Sequence, residues 1–222
     1  MMPLRLLMAP LVPTLCVGTL LPTLGVAGSG HQNSNPSRLA VIKSAPDFTL
    51  ATQDGSKLSS SDVKGNVLLV SFIFTTCNGT CPATTHRMSQ IQEELKTCNL
   101  FKEGGVRLLS ISLDPVRDTA EVLRGYMKLY DADPSRWTFL TGPPDQVSGV
   151  VKSWGMWAKA PQGRPKDAAN GQLDHPSRIF LVDTQYRIRE IYNLNFLKPK
   201  CVVQDMELLL KEGNHRDAKS DQ

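Results

Sequence analysis

The sequence predicts an α/β domain with a central mixed β-sheet and helices on both faces. First, strand-like and helix-like patterns alternate along most of the chain. Second, the runs Asn66 to Phe74 (NVLLVSFIF) and Val106 to Leu113 are too apolar and β-branched for one-sided strands, so they belong in the buried middle of a sheet. Third, Ile179 to Val182 and Arg187 to Tyr192 are joined across only Asp183-Thr184-Gln185-Tyr186. That spacing makes a hairpin, which gives the sheet an antiparallel part.

At 222 residues the chain suits one domain with appendages. Residues 1–28 carry a single charge, Arg5, followed by an apolar stretch from Leu6 to Ala27 and the small residues Val26-Ala27-Gly28. This pattern is that of a signal peptide, with an uncleaved N-terminal membrane anchor as the alternative. Pro10, Pro13 and Pro22 make a spanning helix uncomfortable. The bulky Leu15 before Cys16 argues against lipidation, and one arginine is too few for a mitochondrial presequence. Export is therefore expected.

Residues 29–43, rich in Ser, Asn and Gly, read as a flexible tether. The domain is expected over 44–213, and the polar residues 214–222 read as a disordered tail. After the first buried strand, the loop Thr75 to Cys81 leads to Pro82, which suits the first turn of a helix. That helix is expected to reach about Lys96, with Met88, Ile91 and Leu95 as its apolar stripe. Asp118 or Thr119 can cap a second helix ending near Tyr130, and a third is expected from Pro143-Pro144 to about Trp154-Gly155. Met156 to Leu173, rich in Gly, Pro and Lys, reads as an irregular excursion or hairpin. An amphipathic helix from Val202 to Lys211 closes the domain.

The formal net charge of +4 comes from lysines and arginines spread along the chain. Nucleic acid is excluded as the main partner, because phosphate binding needs a concentrated basic face.

The chemistry concentrates in Cys77-Asn78-Gly79-Thr80-Cys81-Pro82, placed where a central strand gives way to a helix. α/β sheets put their sites at that carboxyl edge. A helix N-terminus carries partial positive charge and free N–H groups, which favour thiolate. Three intervening residues bring the sulfurs round nearly one turn, close enough to form a disulfide or hold one ion. The position and the polar, Gly-containing loop weigh against a purely structural disulfide.

Where a hairpin strand runs antiparallel beside the central strand, the loop entering it faces the same edge, so His175 can sit over the thiols. Two sulfurs and one nitrogen are soft enough for Cu(I) and tolerate Cu(II), and zinc would also accept them. His31 and His215 fall in the predicted tails. The side chain of His86 should turn away along the helix.

The segment Phe72-Ile73-Phe74-Thr75-Thr76-Cys77-Asn78-Gly79-Thr80-Cys81-Pro82 resembles the copper-site motif of the SCO/SenC family. Asp114-Pro115-Val116-Arg117-Asp118-Thr119 matches that family's D-P-x-x-D-T element, and Asp174-His175 its D-H before an apolar strand. Ala45-Pro46-Asp47-Phe48 resembles the opening segment of thioredoxin-like and peroxiredoxin relatives. The resemblance spans about Ala45 to Glu212 and implies a thioredoxin-like fold. It further implies a copper-binding assembly factor with Cys77, Cys81 and His175 as ligands, delivering copper, reducing the target's cysteines, or both. The implied partners are the cytochrome c oxidase subunit carrying the dinuclear CuA site and other periplasmic copper chaperones or thiol reductants. The implied location is the bacterial periplasm or the outer face of the inner membrane.

Asp114 and Asp118 carry over as motif residues that cap and shape loops, not as ligands. Pro176 is expected trans, since it lies slightly early for a cis-proline that shapes a dithiol site. Met156 offers a soft axial ligand, but its position between Trp154 and Trp157 favours packing. Cys98 and Cys201 should not bridge, because Cys98 falls at the far end of the first helix, roughly 24 Å from its start, whereas Cys201 falls at the near, active-site edge where the last helix begins. An accessory thiol near the copper site is the alternative role for Cys201.

The competing reading is a thiol–disulfide oxidoreductase using Cys77 and Cys81 without metal, with Cys77 as the attacking thiol. A peroxidase is disfavoured because the Pro-x-x-x-Thr-x-x-Cys approach is absent before Cys77. A copper-dependent redox sensor would carry the same residues as the chaperone.

Overall fold

The computed structural model describes residues 39–103, 105–160 and 172–220. The signal or anchor segment, Cys16, His31, most of the tether and the middle of the excursion lie outside them. In chain order come β1 (Lys43–Ser44), β2 (Thr49–Thr52), β3 (Lys57–Ser59), a 3-10 turn (Ser60–Asp62) and β4 (Val67–Ile73). Next are α1 (Thr80–Thr97), α2 (Leu100–Glu103), β5 (Val106–Ser112), α3 (Ala120–Lys128) and β6 (Trp137–Thr141). Last are α4 (Pro144–Ser153), β7 (Ile179–Val182), β8 (Arg187–Tyr192) and α5 (Pro199–Ser220).

The eight strands form one sheet in the order β1-β8-β7-β4-β5-β6-β2-β3. β4, β5 and β6 are parallel, and β7 runs antiparallel to β4, with Leu68 opposite Val182 and Ser71 opposite Ile179. Every residue of β4 is buried, as its unbroken apolar run requires. Its one hydroxyl, Ser71, is matched to Ser110 of β5 at 2.9 Å, and Ser110 accepts the Trp137 indole N–H.

The strand order decides where the helices go. Steps from β4 to β5 to β6 move one way along the sheet, so right-handed crossovers put α1 and α3 on one face. The chain then returns from β6 through α4 to β7, which runs antiparallel to β4. Trp154, just past α4, packs its ring on Phe72 and Phe180. On the first face, Met88, Ile91 and Leu95 of α1 are all buried, as the apolar stripe predicts.

The elements depart from expectation at several places. The strand β6 and the hairpin β2–β3 lie outside the predicted set, since runs of three to five residues bounded by Pro, Gly and charged residues carry little periodicity. Helix α1 begins at Thr80, so Cys81 lies inside its first turn rather than before it. Helix α5 starts earlier than Val202 and continues to Ser220, taking in most of the segment read as a disordered tail. No glycine or proline after Gly213 stops it. At the ends of the excursion, Lys159 pairs with Asp174 as an isolated antiparallel bridge.

At the sheet edge bearing β8, a buried ion cluster ties distant segments together. Arg187 and Arg189 both meet Asp183, at 2.6 and 2.9 Å, and Arg189 also reaches Glu212 at 3.0 Å and donates to the Leu39 carbonyl. Burial alone would raise the carboxyl of Asp183, but the two guanidiniums hold it below its ordinary value.

Thr119, rather than Asp118, caps α3, accepting the Val122 N–H at 3.3 Å. Thr119→Ala is expected to cost about 1 kcal/mol and lower Tm by roughly 2–4 °C in a thermal melt, with no change in thiol reactivity.

Candidate metal and dithiol centre

The site grows from the carboxyl end of β4. Leaving Ile73, the chain turns through Phe74-Thr75-Thr76 and presents Cys77, whose N–H reaches the Phe74 carbonyl at 3.3 Å. The turn is held from below by Asp118. This buried carboxylate accepts the Thr75 N–H at 3.2 Å, the Thr75 hydroxyl at 2.5 Å and the Ser112 hydroxyl at 2.6 Å. Burial raises Asp118 above its ordinary value despite those bonds. Asp114 is ion-paired to Arg117 at 2.7 Å. Both aspartates thus shape loops, the role their motif positions suggest.

The two cysteines differ. Cys77 is half-buried, and its sulfur accepts the Gly79 N–H at 3.3 Å at the mouth of α1. Cys81 is 1% exposed. Burial, with the Cys77 thiol and the Asp118 carboxyl nearby, pushes the Cys81 thiol far above its ordinary range, against a backbone hydrogen bond to Phe74. At Cys81, burial therefore opposes the thiolate that a helix N-terminus favours. The Cys81 carbonyl accepts the Thr85 hydroxyl at 3.0 Å, and Thr85 in turn meets the Tyr126 hydroxyl at 3.1 Å. This chain fixes the first turn of α1 to α3.

His175 does reach the thiols. Its Nε2 stands 3.4 Å from the Cys81 sulfur, and its ring packs edge-on to Phe74 at 5.7 Å. Nδ1 lies 3.1 Å from the Pro176 carbonyl, an atom that can only accept, so the proton of the neutral ring belongs on Nδ1. Nε2 is left with its lone pair facing Cys81, the arrangement a metal-binding imidazole needs. Burial holds the ring below its ordinary value, against the pull of the Pro176 carbonyl and Asp174, and so favours this neutral form. No peptide bond is cis among the described residues, and Pro176 is trans as expected.

In donor type, two sulfurs and one nitrogen suit a soft ion. Ligand bonds of about 2.0 and 2.3 Å in tetrahedral geometry put sulfur and nitrogen about 3.5 Å apart. Cys81 and His175 meet that spacing. No three His, Cys, Asp or Glu side chains stand as a finished cage among the described residues. The third donor, Cys77, is instead turned onto Gly79.

The other candidates separate cleanly. His86 is exposed on α1 and contacts Gln90. The Met156 side chain is buried in the core, so it packs. Cys98 ends α1 and Cys201 lies in the first turn of α5; both are exposed and free. The side chain of His215 lies outside the described residues. One residue escaped sequence reasoning: Gln172 donates to the Thr76 carbonyl at 2.6 Å and accepts the Asn78 N–H at 3.2 Å. Its only signal was a position three residues before His175, in a segment read as irregular.

Comparison with known proteins gives one family. The SCO1/SenC model matches residues 38–211. A SCO1 protein homolog of Bacillus subtilis is 33% identical over 169 residues, covering 75% of this chain and 80% of its own. The structure of Bradyrhizobium japonicum ScoI with copper bound superposes with a TM-score of 0.64 at 26% identity, covering 75% of this chain and 99% of that one. BsSco, a member of the Sco family of cytochrome c oxidase assembly proteins in which a disulfide switch is identified, gives 0.63 at 29% identity, with coverage of 78% and 96%. The fold is thioredoxin-like.

Proposed function

The chain belongs to the SCO1/SenC family, and from that premise we propose that it is a copper-carrying assembly factor serving maturation of the CuA site of a respiratory cytochrome c oxidase. It holds one copper ion through the sulfurs of Cys77 and Cys81 and Nε2 of His175. The observation that carries this reading is the Nε2 lone pair, freed by the Pro176 carbonyl and aimed at the Cys81 sulfur 3.4 Å away. The partners are the oxidase subunit bearing CuA and other copper chaperones or thiol reductants. The protein works outside the cytoplasm, in a periplasm or at the outer face of an inner membrane. Among the described residues, no helix is long and apolar enough to cross a membrane.

The asymmetry of the thiols supports a second reading, reduction of the target's cysteines. The Cys77 thiolate attacks one sulfur of a target disulfide and releases the other as thiolate. Cys81, after losing its proton, then attacks Cys77 and releases the second target thiol, leaving a Cys77–Cys81 disulfide. Two electrons pass from this chain to the target.

Copper stoichiometry and the visible spectrum separate the readings. One copper per chain with intense thiolate-to-copper bands, lost in both Cys77→Ser and Cys81→Ser, is expected. No copper above background, with disulfide reduction intact, leaves only the oxidoreductase.

A further inference from the structure

We propose that Gln172 is a positioning residue that latches the Cys77 loop to the strand segment carrying His175, holding the sites of the two donors at a fixed separation; this rests on the copper reading above. Cys77 and His175 are 98 positions apart in sequence, and they come from different elements. Nothing in the course of β4 or β7 alone sets the distance between their side chains. The Gln172 carboxamide supplies that link. Its N–H group donates to the carbonyl of Thr76 and its oxygen accepts the N–H of Asn78, the residues on either side of Cys77. Both polar ends of one planar group are thus spent on the peptide units that flank the thiol.

The other end of the latch is equally fixed. Two residues after Gln172, the backbone of Asp174 exchanges both hydrogen bonds with Lys159, at 2.8 and 3.0 Å. His175 follows at once and is held by Pro176 and Phe74. Gln172, Asp174 and His175 therefore move with one short segment, and through Gln172 the Cys77 loop moves with it. Asp118 fixes that loop at Thr75, one residue short of the peptide unit Gln172 grips, and α1 fixes it after Gly79. Without Gln172, the Thr76 carbonyl and the Asn78 N–H lose the two bonds that tie them to the His175 segment, whereas the turn bond from the Cys77 N–H to Phe74 and the contact of its sulfur with Gly79 lie within the loop itself. Preorganisation of this kind shows as ligand affinity and as protection of the thiol, not as fold stability.

The test uses the full chain with Gln172→Ala and Gln172→Met, the second keeping the length of the side chain while losing both hydrogen bonds. Two readouts are taken. In copper-free, reduced protein, the alkylation rate at Cys77 is followed by peptide mass mapping, which separates it from Cys98 and Cys201. In parallel, copper affinity is measured by chelator competition. Both variants are expected to alkylate Cys77 about three- to tenfold faster and to bind copper about ten- to a hundredfold more weakly, with little change in Tm. If Gln172→Met matches the wild type in both, the latch is overturned. Faster alkylation in the variants, beside a wild type that binds no copper, would keep the latch and sink the copper reading instead.

Discussion

His175→Ala is expected to weaken copper binding by at least about a hundredfold and to abolish the spectrum of a two-sulfur, one-nitrogen site. Outer residues that only orient a ligand cost about 10–100-fold, and His175 offers the donor atom itself. Its Nε2 stands 3.4 Å from the Cys81 sulfur, with the lone pair prepared by the Pro176 carbonyl. Chelator competition on the wild type and the variant measures the loss. An affinity within threefold of wild type would remove His175 from the site. The Cys77–Cys81 disulfide should still form in the variant, because Cys81 stays held in the first turn of α1.

The same residue sets a pH dependence. Burial places the folded His175 below its unfolded value of 6.5. Its contribution to stability is therefore complete above pH 6.5 and is lost as pH falls from there through the folded value. Melts of the copper-free protein should show an acid-side decline that is shallower in His175→Ala.

Asp118→Ala should be the most damaging single change away from the ligands. It strands the Thr75 N–H, the Thr75 hydroxyl and the Ser112 hydroxyl in a buried site. Unmade buried hydrogen bonds cost about 1–3 kcal/mol each, and water entering the gap recovers part of that. A net loss of about 3 kcal/mol, or roughly 6–12 °C in Tm, is expected for a domain of this size. Asp118→Asn retains an acceptor oxygen and should lose less than half as much. The native carboxyl, raised by burial, contributes stability in full below its ordinary value of 3.8 and loses it as pH rises through the folded value. Asp118→Asn should flatten that component. Equal melts for the alanine variant and wild type would show that the loop does not depend on Asp118.

Particular residues show why the sequence was informative in some places and silent in others. β4 and β5 were legible because burial on both faces leaves an unbroken apolar run, and α1 because its stripe recurs at helical spacing. β6 was not, since five residues of strand carry no period and β5 supplies the partner that makes them a strand. Cys77 and Cys81 stood out by chemistry and spacing. His175 needed a topological step, from the antiparallel strand to the edge it enters. The environment of Cys81 was beyond reach, because a sequence shows where the helix starts but not how deeply the thiol is buried. Gln172 was equally hidden: its partners are backbone groups more than ninety residues away.

The cluster around Arg189 also determines how the domain bears load. The guanidinium grips the Leu39 carbonyl while braced by Asp183 in the β7–β8 turn and by Glu212 near the end of α5. Tension entering at Leu39 passes into that brace and into the short β1–β8 pairing of Lys43 with Ile188 and Ser44 with Arg187. All of this lies toward the amino edge of β4, whereas Cys77, Cys81 and His175 occupy the carboxyl edge. A pull applied at Leu39 would thus enter the domain at the edge opposite the thiols. Load borne at that edge would have to cross the full length of β4 before it reached the donor atoms.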